Sequence, residues 1–153
     1  MKAAIFTIST GMYNTKGESA AANILKRTLE QVGIEVRGVK ILPAERKTVG
    51  TVIEQLSKSG AVDLILTTGS NGYTSADCAP DAVADVVERV LPGIPEAIRA
   101  YNLRYSKKAM LDRSVAGICN NTLILNLPEK AKAAQEDLDY ILPELVRVME
   151  TIE

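Results

Sequence analysis

No histidine and no tryptophan occur in these 153 residues, cysteine occurs twice, and aromatic residues make up 4%. Without imidazole, every mechanism that relies on a histidine base is excluded, and so are histidine-ligated metals. Cys78 and Cys119 form no CxxC spacing, so a zinc site is excluded and both thiols read as buried or incidental. Neither sign of charge dominates: 18 Lys+Arg stand against 19 Asp+Glu, for a formal net charge of -1. A sequence-independent grip on nucleic acid needs a basic surface, so small molecules or proteins are the expected partners. Long hydrophobic runs are missing too. The start, "MKAAIFTISTGMYNTKGESAAA", breaks its apolar run at Thr7 to Thr10, too early for a secretory signal, and no segment reaches membrane-spanning length. A cytoplasmic location is expected.

What is present is globular: 46% hydrophobic and 24% charged residues, in a length that suits one domain over 1–153. Lys2 to Ile8, Ile34 to Leu42 and Val62 to Thr67 read as strands, being short apolar or β-branched runs bounded by Gly, Pro and polar clusters. Ala21, Leu25, Leu29 and Val32 form one helical stripe stopped by Gly33. Val49, Val52, Ile53 and Leu56 form a second, stopped by Gly60. Pro80 suits a helix start, with Val83, Val86, Val87 and Val90 as its stripe before "LPGIP" breaks it. A short helix is expected around Glu96 to Tyr105. Strands at Ser114 to Cys119 and Thr122 to Leu127 flank an Asn120-Asn121 turn. A last helical pattern runs from Ala134 to Ile152, and Pro143 should kink or split it. Strands alternating with helices imply an α/β fold: a three-layer αβα sandwich with a mostly parallel sheet and one antiparallel strand.

In open α/β sheets ligands bind beyond the carboxyl ends of the strands, which singles out Ser9 to Glu18, Gly69 to Ala79 and the turn after Leu127. The central loop, "TTGSNGYTSADCAPDA", joins a strand to a helix. Its late backbone N–H groups and the helix dipole favour an anion, while Gly69 and Gly72 let a ligand approach the main chain. An ordinary βα turn with a proline helix start explains the same spacing.

The order of residues is more specific. "TTGSNGYTSADCAPDA" resembles, without a gap, the TTGGTGxxxRDxTPDA signature of the MogA/MoaB family of molybdopterin-binding proteins. "LPGIPEAIR" is similar to that family's PGFGE segment, "MLDRSVAGI" to its LSRAVAGV segment, "TLILNLPEKAKAAQED" to its LILNLPGxPKAxxE segment, and "GMYNTKGESAAANIL" to its G-x-Y-x-D-K-G stretch. The resemblance implies a molybdenum cofactor biosynthesis protein that forms homotrimers or hexamers. It implies binding of molybdopterin and adenylylation of its terminal phosphate with Mg-ATP. By position, Asp77 would be the catalytic and Mg²⁺-holding residue. Gly69, Ser70, Asn71, Gly72, Ser9, Thr10, Arg113 and Pro128 would bind the ligand and its phosphate.

The sequence also departs from that pattern. Ser70 stands for Gly, Asn71 for Thr, Ala76 for Arg and Ala79 for Thr. Glu129 stands for the Gly after Leu127-Pro128, and Thr15 for an Asp of the first loop, with Glu18 close by. The change from Arg to Ala76 removes a phosphate fork, and Glu129 should repel phosphate. For Asp77 a helix-capping carboxylate is the competing role; for Arg113, a surface ion pair with Asp112 as a neighbour. Two functions therefore remain open: an adenylyltransferase, or a non-catalytic binding or scaffold homologue for molybdopterin or another phosphorylated ligand. A third, flavin binding, follows from the similarity of "STGMYNT" to the flavodoxin phosphate loop, though the chain is poor in the aromatics that stack the flavin ring.

Overall fold

The computed structural model describes residues 1–152. Six strands form one sheet in the order β2-β1-β3-β6-β5-β4, with β1 at Lys2–Ile8, β2 at Glu35–Leu42, β3 at Leu64–Thr68, β4 at Arg89–Val90, β5 at Ala116–Cys119 and β6 at Thr122–Leu127. β5 pairs antiparallel with both β6 and β4, while β2, β1, β3 and β6 run parallel, so β5 alone opposes the rest. The expected single antiparallel strand is borne out. Asn120 and Asn121 make the β5–β6 turn at φ +49° and +65°, conformations that asparagine tolerates better than most side chains.

Six helices cover the sheet: α1 (Thr10–Thr15), α2 (Ala20–Gln31), α3 (Arg46–Ser59), α4 (Ala79–Val86), α5 (Gly93–Leu103) and α6 (Ala131–Thr151). Every residue of β3, "LILTT", is buried, as a strand covered on both faces requires. Its side chains divide between two cores. Leu64 and Leu66 join Leu25 and Leu29 of α2 and Leu138 and Leu145 of α6 on one face, while Ile65 joins Val49 and Ile53 of α3 and Val83 of α4 on the other. Both cysteines are buried, free thiols.

Three expectations need correction. The third helical stripe ends early: α4 stops at Val86, Val87 is extended at ψ 135°, and Arg89–Val90 form the edge strand β4. β-Branched residues suit either state, and here Gly117 decides, because a Cβ there would meet Arg89 O at 2.7 Å and Val87 Cβ at 2.8 Å. The glycine lets the extended segment lie flush on β5. Pro143 does not split the last helix, which runs unbroken over Ala131–Thr151. Pro143 and Asp139, whose carbonyl loses its donor, are both exposed, so the lost bond falls on the solvent side of the helix while buried Ile141, Leu142 and Leu145 hold the other side. "LPGIP" starts a helix as well as ending one: α5 begins at Gly93 with Pro95 in its first turn, where a missing N–H is harmless. Two short elements lacked a sequence signal, α1 and a 3₁₀ turn at Lys107–Leu111.

Asp137 is the one buried carboxylate of the α6 core face, 4% exposed, with Asn102 Nδ2 of α5 donating to it at 2.8 Å. Burial, reinforced by the charges of Asp112 and Glu136, pushes its carboxyl up to about 6. The folded state therefore holds this proton more tightly than the unfolded chain, whose carboxyl titrates near about 3.9. Stability falls as pH rises between those two values and is level above them. Asp137→Asn should abolish that slope and raise stability at pH 8 by on the order of 2 kcal/mol, as read from urea unfolding at pH 4 and pH 8.

Candidate functional site

The loop between β3 and α4 starts with an enforced glycine. Gly69 adopts φ +88°, and a Cβ there would lie 2.8 Å from the carbonyl oxygen of Ile8, at the end of β1. Backbone packs directly on backbone, which brings the loop after β3 against the loop after β1. Ser70 follows at φ +52°, in the left-handed region that glycine favours. Its hydroxyl accepts from Cys78 N at 2.9 Å and donates to Ala76 O at 3.3 Å, while its carbonyl accepts from Ala79 N at 3.0 Å. Cys78 is the N-cap of α4 and offers no side-chain cap of its own, so Ser70 caps the helix from across the loop.

Asn71 turns inward. Its Nδ2 donates to Ser114 Oγ at 2.6 Å and to Asp112 Oδ1 at 3.1 Å, and its own Oδ1 is buried without a partner. Asp112 also accepts from Ser114 Oγ and Ser114 N, and faces Arg99, so it belongs to the Asn71 network and is no partner of Arg113. Among the described residues, no acceptor takes the N–H of Ser70, Asn71 or Tyr73. Backbone donors left open in a loop that leads into a helix favour an anionic acceptor.

Arg113 fastens this loop. Nε donates to Gly72 O at 2.9 Å and Nη2 to Asp77 O at 3.0 Å, while Nη1 and Nη2 form a fork on the Asp81 carboxylate, each at 3.2 Å. The expected surface ion pair is thus a half-buried clamp, with two carbonyls and a bidentate carboxylate as partners. The Arg113 bond holds Asp81 below the usual carboxylate range.

Asp77 does not cap α4, contrary to the competing reading. Oδ2 reaches back to accept from Thr74 Oγ1 at 2.7 Å and Thr74 N at 3.0 Å, and it lies against Gly72, where a Cβ would sit 2.7 Å away. The Thr74 hydroxyl is the main cause of its lowered pKa, so the carboxylate is ionised at neutral pH. Among the described residues, no three carboxylate or cysteine side chains converge as a metal cage.

The other candidates fall at one edge, with their side chains largely committed. Ser9 Oγ caps α1 by accepting from Met12 N at 3.2 Å, Thr10 Oγ1 accepts from Ala44 N at 2.9 Å, and Pro128 O accepts from Thr68 Oγ1 at 2.6 Å. Ser9, Thr68, Gly69 and Glu129 share one small cleft. Sequence reasoning missed the structural roles of Thr74, Asp81 and Ser114. Asp81 stood in the signature stretch, but its partner lies 32 residues away and left no local pattern.

Ser70 carries two opposed effects, a left-handed backbone and a helix cap. Ser70→Ala keeps the first and loses the second, and should destabilise by about 1 kcal/mol. Ser70→Gly relieves the strain as it loses the cap, and should lie within about 0.5 kcal/mol of the parent. Thermal unfolding of the pair checks this order.

The comparisons with known proteins agree with the geometry. A family model described as a probable molybdopterin binding domain matches residues 4–147. The molybdopterin adenylyltransferase of Helicobacter pylori (strain ATCC 700392 / 26695) is 36% identical over 104 residues, covering 68% of this chain and 59% of that protein. The Haemophilus influenzae molybdopterin adenylyltransferase is 33% identical over 134 residues, covering 87% of this chain and 66% of that protein. The chain thus spans about 59% to 66% of the length of these relatives. The molybdopterin biosynthesis enzyme MoaB from Thermus thermophilus superposes with TM-score 0.86 at 31% identity, covering 98% of this chain and 97% of that one.

Proposed function

The chain belongs to the molybdopterin-binding domain family of molybdenum cofactor biosynthesis, and on that premise we propose that it binds molybdopterin and adenylylates its terminal phosphate. The observation that carries this reading is the path of the β3–α4 loop. Ser70 takes the left-handed conformation that the family's glycine would supply, and the N–H groups of Ser70, Asn71 and Tyr73 stay without acceptors among the described residues. An anionic oxygen is the natural acceptor for such donors.

In the proposed reaction an oxygen of the molybdopterin phosphate attacks the α-phosphorus of ATP. The bond from that phosphorus to the bridging oxygen breaks, and pyrophosphate leaves with the electron pair. Catalysis of this kind is mostly positioning and charge stabilisation. Gly69, Ser70, Asn71 and Gly72 form the cradle, Arg113 holds the cradle's shape through its carbonyl bonds, and Ser9, Thr10 and Pro128 shape the facing edge. Asp77 fits Mg²⁺ in the mode that needs few protein ligands: it is ionised, and Mg²⁺ is commonly held by one or two carboxylates plus phosphates and water. Bound there, Mg²⁺ would neutralise charge on the transferring phosphate. A homotrimer or hexamer, acting in the cytoplasm, is proposed on family resemblance alone.

One observation favours the non-catalytic alternative. Glu129 lines the same cleft as Ser9 and Gly69, and Ala76 offers no guanidinium to offset it. The two readings separate on turnover. With fresh molybdopterin, ATP and Mg²⁺, the purified protein should yield adenylylated molybdopterin by mass, and Asp77→Asn should lower the rate at least a hundredfold while molybdopterin still binds. Binding without product, beside an active control enzyme, assigns the chain to the scaffold class.

A further inference from the structure

Three departures from the family pattern meet at one point of the fold. Against the LSRAVAGV segment Asp112 stands for Ser and Ser114 for Ala, and in the signature loop Asn71 stands for Thr. These positions lie 41 and 43 residues apart in the chain, yet Asn71 Nδ2 donates to Asp112 Oδ1 at 3.1 Å and to Ser114 Oγ at 2.6 Å. The set closes on itself, because Ser114 Oγ and Ser114 N donate to the same Asp112 oxygen at 2.6 and 3.1 Å. Arg99 of α5 braces it: Nη1 donates to the Asp112 carbonyl at 3.3 Å and the Ser114 carbonyl at 3.4 Å, and lies 3.8 Å from Asp112 Oδ2. With Ser at 112 and Ala at 114 the half-buried Asn71 amide would lose both of these acceptors, so the three residues act as one unit.

The neighbouring residue needs such a hold. Ser70 sits at φ +52°, and a side chain in that region persists only where its surroundings fix it there. On one side the bonds of Ser70 to Cys78 N and Ala79 N tie it to α4. On the other side stands Asn71, whose main-chain N–H and carbonyl make no hydrogen bond among the described residues, so its hydrogen-bonded hold is through the side chain alone. Freed there, the Ser70–Asn71 peptide could rotate away from the strained path. The next fixed point is Gly72, whose carbonyl Arg113 holds.

We propose that Asp112 is a positioning residue: through Asn71 and Ser114 its carboxylate holds the Ser70–Asn71 peptide in the path that leaves the N–H groups of both residues open to an anion. The inference rests on the proposed function and deepens it, naming a residue outside the ligand set that governs the cradle. When the hold is lost the competent path becomes one of several, and apparent affinity falls by the fraction of molecules still in it. A bound ligand restores the path, so the chemical step keeps its rate and the loss appears in KM.

Titration calorimetry with inorganic pyrophosphate in Mg²⁺ buffer reads the cradle, and steady-state adenylyl transfer separates KM from kcat. Asp112→Ser should weaken pyrophosphate at least tenfold and raise KM by a similar factor, with kcat within twofold of the parent. Asn71→Leu, which keeps the side-chain size and removes its donors, should weaken pyrophosphate as much, and serves if the first variant folds poorly. In a Ser70→Gly background, where the path carries no strain, Asp112→Ser should cost less than threefold. Pyrophosphate affinity that ignores both 112 and 71, a loss of equal size in the glycine background, or a fall in kcat at unchanged KM overturns the assignment. A parent that binds pyrophosphate in this Asp112-dependent way without transferring adenylyl keeps the positioning role and removes the catalytic reading, whereas a parent that binds none removes both.

Discussion

The contact between Gly69 and the Ile8 carbonyl is the constraint on which the ligand edge depends. A side chain at 69 would strike the end of β1 at 2.8 Å, so only glycine lets the β3–α4 loop cross there. Because β1 and β3 are adjacent parallel strands, that crossing places Gly69 beside Ser9 and makes one cleft of two loops. The remaining features act on this geometry. Ser70 continues the left-handed path, and Arg113 ties two points of the loop, Gly72 and Asp77, to the start of α4 through Asp81.

The loop differs from the family pattern in where its hydrogen bonds go. The Ser70 hydroxyl occupies the Cys78 N–H, and Asn71 commits its amide donor to Ser114 and Asp112. The Cys78 N–H, which a glycine at 70 would have left open toward a ligand, is thereby satisfied within the chain. The result is a loop with one free donor fewer. The buried Asn71 Oδ1 is the exception, an acceptor without a donor, and unpaired buried acceptors of this kind mark a place where a ligand or water belongs.

The fold was legible in the sequence wherever burial imposed a period. Val62 to Thr67 read as a strand because the apolar run that becomes β3, Leu64–Thr68, is covered on both faces, and the α2 and α3 stripes read as helices because each has one buried face. Elements fixed by tertiary packing did not announce themselves. Val87 and Val90 continue a helical pattern, yet the space above Gly117 draws the chain out of the helix, with Val87 extended and Val90 in the edge strand, and α1 has no buried residue to leave a stripe at all. The site shows the same division. Asp77 and the glycines stood out by their order, whereas Arg113 looked like a surface charge, because its partners at 72, 77 and 81 meet it only once β5 has returned beside β6.

These facts decide how the substitutions combine. Replacing glycine by Ser70 keeps the backbone path at the cost of some strain, so the cradle's shape does not rest on the identity of that residue. Electrostatics has changed more than shape. Ala76 removes a positive fork and Glu129 adds a negative charge at the cleft, while the retained guanidinium, Arg113, is engaged in holding the loop and already neutralised by Asp81. An anion entering this site therefore meets backbone dipoles in place of fixed cations. Dipoles of that kind are aligned by the fold before the ligand arrives and need no reorganisation. On the proposed Mg²⁺ role of Asp77, affinity for the phosphate should depend more steeply on Mg²⁺ than it would with an arginine at 76, because that role has the cation arrive with the ligand.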